Sequence, residues 1–167
     1  MSVMRSFSAI AALVLFAGCD LSTEPDIPDP IDPALDTYAA ALGVNIASMT
    51  KTASGLYYKD KGLGNVSGVA AAANDSIAAN FKLWLTNGTP VDSSTGPNGE
   101  PIRFRIGAAD IIRGFSEGFI GMKPGGVRQL VIPTALAWGP RGNSVPGKVS
   151  IQPNANVVFE IEFLSKF

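Results

Sequence analysis

The sequence predicts an α+β domain in which an antiparallel sheet is covered by one short helix. Short segments with strand periodicity, separated by turns, follow one another from about Ser54 to the C-terminus. The 18 glycines and 12 prolines among 167 residues indicate many such turns and argue against a helical bundle. One segment, residues 108–126, instead carries apolar residues at helical spacing. Many strands, tight turns and a single helix are typical of a sheet with a helix packed on one face.

The predicted strands alternate apolar and polar residues. The strand at 76–86 places Phe81, Leu83 and Leu85 on one face, and it ends in TNGT, residues 86–89, a hairpin turn of the Asn-Gly type. The predicted strands are SGLYYKD (54–60), 76–86, 102–106, 127–133 and 155–167.

The predicted helix contains two glycines, Gly114 and Gly118, although each glycine costs a helix about 1 kcal/mol relative to alanine. Glycine is useful where another part of the backbone must approach closely, so we expect a neighbouring strand to pack against these two positions. The apolar residues at helical spacing are Ile111, Ile112, Phe115 and Phe119.

Several function classes are excluded by what the chain lacks. It has no histidine, which removes the commonest general base and metal ligand, and its single cysteine, Cys19, allows no internal disulfide. Ser-His or Cys-His catalysis and a zinc site are therefore excluded, and we predict no metal and no cofactor. The formal net charge is −1 and there is no basic run, so nothing indicates nucleic-acid binding.

The N-terminus is predicted to be an export signal. A single positive charge, Arg5, precedes an apolar run at 9–17 that is too short to cross a bilayer, as is typical of a signal peptide. The sequence LFAGC, residues 15–19, resembles a bacterial lipobox, which implies cleavage after residue 18 and lipidation of Cys19. The alternative is an ordinary signal peptide with an incidental cysteine. Asp20 resembles an inner-membrane retention signal, but the choice of membrane stays open.

Residues 19–53 are predicted to be a lipidated N-terminus and tether. Residues 20–33 contain four prolines and five acidic residues and have little to bury, so we expect an extended, disordered spacer. Cation binding by these acids is a weaker alternative. A short helix is predicted at 36–42.

The motifs of residues 54–167, in their order, resemble those of the FKBP-type peptidyl-prolyl cis-trans isomerases. The resemblance implies one domain over this range, with a strongly curved antiparallel sheet wrapped around one short helix and a pocket for a prolyl ring between them. It rests on five stretches: SGLYYKDKGLG, LTNGTPVDSS, IRFRIGAADIIRGFSEGFIGMKPGGVRQLVIP, LAWG and IQPNANVVFEIEFL.

The resemblance also implies the residues of the pocket. Those given catalytic roles are Phe81, Asp92, Ile111, Ile112, Phe115, Trp138 and Phe159, and those given substrate-binding roles are Val91, Ile102 and Ile151. The three phenylalanines would form the walls, and the Ile112 backbone N–H would bind a substrate carbonyl. Trp138 would donate from its indole, and Asp92 would shape the floor. Taken without the family, core packing is the favoured explanation for each apolar residue, and Asp92 is equally explained as a turn residue that bonds its own backbone.

Several pocket positions depart from the family pattern. Phe81 and Trp138 stand where tyrosines are usual, and Phe115 stands where tryptophan is usual. Val91 and Ile102 replace aromatic residues and make the pocket more aliphatic. The loop at 140–150 is longer than usual, and its prolines are candidates to occupy the pocket.

These features predict a monomeric prolyl isomerase that is lipid-anchored in a bacterial cell envelope, with its domain outside the cytoplasm. Its partners would be proline-containing polypeptides, namely unfolded exported proteins. The alternatives are a non-catalytic peptide-binding or chaperone module on the same fold and a purely structural lipoprotein.

Overall fold

A computed structural model describes residues 27–96, 99–144 and 146–167. The predicted signal peptide and Cys19 lie outside these residues. The described part of the chain forms a seven-stranded sheet and one α-helix. The strands are β1 (Thr50–Lys51), β2 (Tyr57–Leu63), β3 (Ser76–Leu85), β4 (Pro90–Ser93), β5 (Ile102–Arg105), β6 (Gly126–Ile132) and β7 (Val157–Lys166), and the helix is α1 (Arg113–Gly118). Short 3₁₀ turns lie at Ala40–Leu42, Ile46–Ser48, Thr134–Leu136 and Gly139–Arg141.

The sheet is antiparallel throughout, with strand order β1-β2-β6-β7-β3-β4. β5 pairs with the first half of β3, and β4 pairs with its second half. Irregular register within the β2–β6 and β3–β7 pairs adds local bends to the sheet. The predicted fold class, a curved antiparallel sheet with one short helix, is confirmed. The TNGT turn joins β3 to β4, with Gly88 at φ 88°.

The helix is shorter than the apolar spacing indicates. Ile111 and Ile112 precede it, and Ile112 is extended at ψ 137° rather than helical. Phe119 follows the last helical residue, and Gly121 at φ 80° turns the chain away. A helix of six residues has few internal hydrogen bonds, so its stability must come from packing against the sheet.

Gly114 and Gly118 mark the face where α1 lies on β6. A Cβ atom at Gly114 would overlap Ile132 Cγ2, and one at Gly118 would overlap Leu130 Cδ1. The expectation that a strand packs closely against the two glycines is therefore confirmed. Arg128, also on β6, reaches back with Nη1 to the carbonyls of Gly118 (2.9 Å) and Ile120 (3.1 Å), which satisfies acceptors at the end of the helix.

The segment before β1 packs on the opposite face of the sheet, and we call residues 28–49 the N-terminal strap. Its apolar residues, among them Tyr38, Leu42 and Val44, cover buried Tyr57, Val131 and Val158. The predicted helix at 36–42 is wrong, because only Ala40–Leu42 forms a 3₁₀ turn, which ends at Gly43 with φ 59°. Within the described residues, no helix has the length and apolar character needed to cross a membrane.

The strap is held by hydrogen bonds as well as by apolar contact. Asn156 is 3% exposed, and its Nδ2 donates to Ile31 O and to Asp36 Oδ2, both at 2.9 Å. Its Oδ1 accepts from the Thr134 N–H. Asn154 Nδ2 donates to Pro28 O at 2.7 Å. The expectation of a disordered spacer is therefore wrong for residues 28–33, which are bound to the domain. The reason is that the buried Asn156 amide needs hydrogen-bond partners, and this backbone provides one.

Tyr38 fixes the middle of the strap. Its hydroxyl donates to Pro33 O at 2.8 Å. Burial, and secondly the negative charge of Asp36, raise the pKa of Tyr38. The phenol therefore keeps its proton and remains a hydrogen-bond donor throughout the neutral pH range.

Candidate functional site

A cavity of about 300 Å³ opens between β3, β4, β5, β7 and the segment leading into α1. Its lining is mostly apolar, with two carboxylates, Asp92 and Asp110. The lining residues are Phe81, Leu83, Asp92, Ile102, Asp110, Ile111, Ile112, Phe115, Trp138 and Phe159.

The cavity brings together eight of the ten residues expected at the pocket. The other two do not line it. Ile151 is 2% exposed and belongs to the core, and Val91 is half-buried against that core. Sequence reasoning missed Leu83 and Asp110. The signal for Leu83 was present, because strand side chains two residues apart share a face and Phe81 was already assigned to the pocket.

Three phenylalanines form an aromatic wall in the cavity. The Phe115 ring lies 5.8 Å from Phe81 at 84° and 5.1 Å from Phe159 at 56°, while Phe81 and Phe159 are 6.0 Å apart. Phe104 and Phe119 support the Phe115 ring from behind, at 5.5 and 5.1 Å. Such edge and tilted contacts fix the ring orientations, so the apolar surface is preformed.

The approach to α1 places backbone polar groups at the cavity. The Phe115 and Ser116 N–H groups donate to Ile112 O. The Ile112 N–H has no hydrogen-bond partner among residues 27–96, 99–144 and 146–167. Ser116 Oγ accepts from the Gly107 N–H (3.2 Å), and Arg113 Nη2 donates to Ala135 O (2.8 Å). These two bonds hold the segment that carries Ile111 and Ile112 in place.

Asp92 lies on β4 at the rim of the cavity. Its Oδ1 accepts from the adjacent Ser93 N–H at 2.9 Å, and its Oδ2 accepts from Lys148 Nζ at 2.7 Å. Ser94 holds this edge to β3, because its Oγ accepts from the Phe81 N–H at 2.9 Å. Asp92 therefore both lines the cavity and bonds its own backbone, which combines the two interpretations that the sequence left open. Residue 81 is a phenylalanine and has no hydroxyl to offer Asp92. The side-chain partner of Asp92 is therefore the Lys148 ammonium.

Trp138 and the loop after it complete the rim. The half-buried Trp138 lines the cavity, and its indole N–H has no acceptor among the described residues. Residues 140–150, which we call the rim loop, are closed at the base by paired hydrogen bonds between Asn143 and Ile151. Pro140 and Pro146 are exposed and do not line the cavity, so the idea that the loop's own prolines occupy it finds no support.

Comparison with known proteins identifies the family. The family model described as FKBP-type peptidyl-prolyl cis-trans isomerase matches residues 68–164, more than half of the chain. The chain belongs to the FKBP-type family. The resemblance noted in the sequence motifs is confirmed, and the cavity lies within the matched range.

Individual FKBP relatives agree over much of this range. The chain is 40% identical over 114 residues to the chloroplastic peptidyl-prolyl cis-trans isomerase FKBP16-3 of Arabidopsis thaliana, covering 68% of this chain and 49% of that protein. It is 39% identical over 100 residues to an FK506-binding protein of Neisseria meningitidis, covering 60% of this chain and 87% of that one. The chain thus spans about half the length of the first relative and most of the second.

Solved FKBP structures show the same fold. The crystal structure of AtFKBP13 superposes with a TM-score of 0.63 at 35% identity, covering 72% of this chain and 99% of that one. FkpA from Escherichia coli gives a TM-score of 0.60 at 36% identity, covering 71% of this chain and 51% of that one.

Within the described residues, no group of three or more carboxylate, thiol or imidazole side chains is placed to hold a metal.

Proposed function

We propose that this FKBP-type domain catalyses cis-trans isomerisation of Xaa-Pro bonds in unfolded, exported proteins, as a monomer tethered to a membrane of the bacterial cell envelope. The observation that carries the isomerase proposal is the cavity itself, whose lining combines an aromatic wall with Ile112 and Trp138, two residues whose N–H groups have no acceptor among the described residues. The family match supports proline-containing polypeptides as the substrate class.

The chemistry of prolyl isomerisation fits residues without acid–base reactivity. The barrier of about 18–20 kcal/mol comes from amide resonance, which is lost when the bond twists. The twisted carbonyl is less polar than the planar one, so an apolar cavity stabilises the twisted amide relative to the planar ground state. This is preferential binding of the transition state, and it needs no nucleophile.

The cavity offers a role for each group. Phe81, Phe115 and Phe159 would hold the prolyl ring between their faces and edges. The unpaired Ile112 N–H would bind a substrate carbonyl and fix one side of the amide while the other rotates. Trp138 would donate from its indole N–H to a second peptide oxygen.

A protease-coupled cis-to-trans assay on a short Xaa-Pro peptide tests the isomerase proposal. The soluble form should begin at Asp20, because a start at 37 or later would remove strap residues that bond to Asn154 and Asn156. We expect a rate that exceeds the uncatalysed exchange, which takes tens to hundreds of seconds. No rate above background, together with retained binding of an unfolded protein, would support the non-catalytic chaperone alternative. The basis of this alternative is that residues 81 and 115 are both phenylalanine, where the family usually has tyrosine and tryptophan. The aromatic wall therefore carries no polar group.

The membrane tether is a separate part of the proposal. Its support is the position of Cys19, the single cysteine, directly after an apolar run and at the end of LFAGC. A lipid contributes about 0.8 kcal/mol per buried methylene, so several acyl chains would hold the protein stably on a bilayer.

Replacing the cysteine tests the tether. Cys19→Ser in the full chain should move the protein from the membrane to the soluble fraction, or leave it unprocessed, because the acyl acceptor is lost. Fractionation with mass measurement of the mature N-terminus is the readout. Val69→Ser changes an exposed side chain of the domain, leaves the signal untouched and serves as a control for handling. Membrane association of a Cys19→Ser protein whose measured mass shows that the signal has been removed would exclude lipidation as the main tether.

A further inference from the structure

The rim loop contributes one charged contact to the cavity that the family match does not explain. Lys148 Nζ lies 2.7 Å from Asp92 Oδ2, across 56 residues of sequence. The loop base is fixed on both sides, because the Asn143 N–H donates to Ile151 O (2.8 Å) and the Ile151 N–H to Asn143 O (2.7 Å). Lys148 thus projects from an ordered base to a carboxylate that lines the cavity.

Lys148 halves the negative charge of the carboxylates that line the cavity. Asp92 and Asp110 both line the cavity. Asp110 has no ion-pair partner within the part of the chain that the structure describes. Arg113, the nearest cation in sequence, directs its Nη2 to Ala135 O and forms no ion pair with either carboxylate among the described residues. With Lys148 in place the two lining carboxylates and their bound cation sum to one negative charge, and without it to two.

We propose that Lys148 is a specificity-determining residue that neutralises Asp92 and so admits apolar or acidic residues before the proline. This inference rests on the proposed isomerase function. When the prolyl ring fills the cavity, the preceding Cα is only 3.8 Å along the chain from the prolyl Cα. That residue therefore lies at the rim, where the local charge acts on it directly. Lys148 acts through Asp92, as a positioning residue.

A peptide series with glutamate, leucine or lysine before proline tests the inference. The soluble chain from Asp20 is compared with Lys148→Met and Lys148→Arg in a protease-free isomerisation assay, with peptide affinity measured in parallel by NMR titration. Lys148→Met should raise the Lys-Pro to Glu-Pro ratio of kcat/KM about threefold, the range expected for one partly exposed ion pair. Lys148→Arg keeps the charge and should leave the ratio unchanged.

Two further measurements separate charge from structure. Lys61→Met removes a cation of similar exposure, paired with Glu160 at 2.8 Å on the other side of the sheet, and should not change the ratio. The effect of Lys148→Met should largely disappear at 1 M salt, where the screening length falls to about 3 Å. A loss of loop structure alone would lower turnover of all three peptides equally and would not respond to salt.

Each outcome decides between the two proposals. An active parent protein whose ratio is unchanged in Lys148→Met, or is changed equally in Lys61→Met, overturns the specificity inference alone. A parent protein without turnover overturns the isomerase proposal. The NMR affinities for the same peptides then still test whether Lys148 sets charge preference in binding, and equal ratios for the parent and Lys148→Met would overturn that as well.

Discussion

Phe115 is the residue on which the cavity depends most. It is 4% exposed, and its ring contacts those of Phe81, Phe104, Phe119 and Phe159. The same ring therefore belongs to the core on one side and to the cavity wall on the other. Loss of stability and loss of activity must be separated when this position is changed.

Phe115→Leu should lower kcat/KM about three- to tenfold, because an aromatic contact of about 0.5–1.5 kcal/mol with the prolyl ring is lost. Phe119→Leu is the matched control, since Phe119 is fully buried in the same cluster but does not line the cavity. Both variants should lose comparable stability in urea. Equal kcat/KM for Phe115→Leu and the parent, or an equal decrease in the two variants, would show that Phe115 does not contact substrate.

Most of the cavity could be predicted at the residue scale, and the exceptions have physical reasons. The aromatic wall could be expected only through the family resemblance, because Phe81, Phe115 and Phe159 lie on three elements that are far apart in sequence. Asp110 sits in a turn with no periodicity to place it. The Lys148–Asp92 ion pair joins residues 56 positions apart through a loop, so no local pattern reveals it. Ile151 was assigned to the wrong place, because a core position and a wall position look alike in sequence.

At the scale of elements, the contact between α1 and β6 decides where the helix lies. Glycine at 114 and 118 lowers helix propensity, yet it allows Ile132 and Leu130 to pack directly against the helix backbone. Packing thus overrides propensity here, which is why the sequence could predict one short helix but not that Ile111 and Ile112 lie before its first residue. The helix that remains is the stretch between Arg113 and Gly118 that brings both glycines against β6.

Gly118→Ala should destabilise the domain even though alanine is the better helix former. The gain of about 1 kcal/mol in propensity is opposed by an overpacking cost of about 1–3 kcal/mol against the Leu130 side chain. Urea denaturation followed by circular dichroism measures the net effect. Stabilisation by the full 1 kcal/mol would mean that Leu130 moves aside freely and that the close contact is not required.

At the scale of the whole molecule, the sheet is covered on both faces, by α1 on one and by the N-terminal strap on the other. The second cover was not foreseen, because proline and acidic residues in 20–33 indicate a chain that has little to bury. What binds it is the buried Asn156, together with apolar residues that follow at Tyr38 and Leu42. A single buried amide in a C-terminal loop carries no local sequence signal for a partner 120 residues away.

Asn156→Ala should destabilise the domain by about 1–3 kcal/mol, because the Thr134 N–H loses its partner in a buried place and Ile31 O loses a half-buried one. Asn154→Gly is the matched control. Asn154 is at φ 57°, where glycine is unstrained, and the bond that it loses is exposed. Denaturant titration of both variants, starting from the form that begins at Asp20, gives the comparison. A change below about 0.5 kcal/mol in Asn156→Ala would argue against strap docking.

Docking of the strap also limits the distance that could separate the domain from a lipid anchor at Cys19. If residues 20–53 were all free, the chain between a lipidated Cys19 and the domain would reach about 120 Å when fully extended. Pro28 is bonded to Asn154, so under the proposed tether the eight residues from Asp20 to Ile27 would separate the anchor from the docked strap, and eight residues span at most about 28 Å. If Cys19 is lipidated as proposed, the domain would stay within a thin layer above the bilayer. It would meet polypeptides as they leave the membrane, rather than those that have diffused into the compartment beyond.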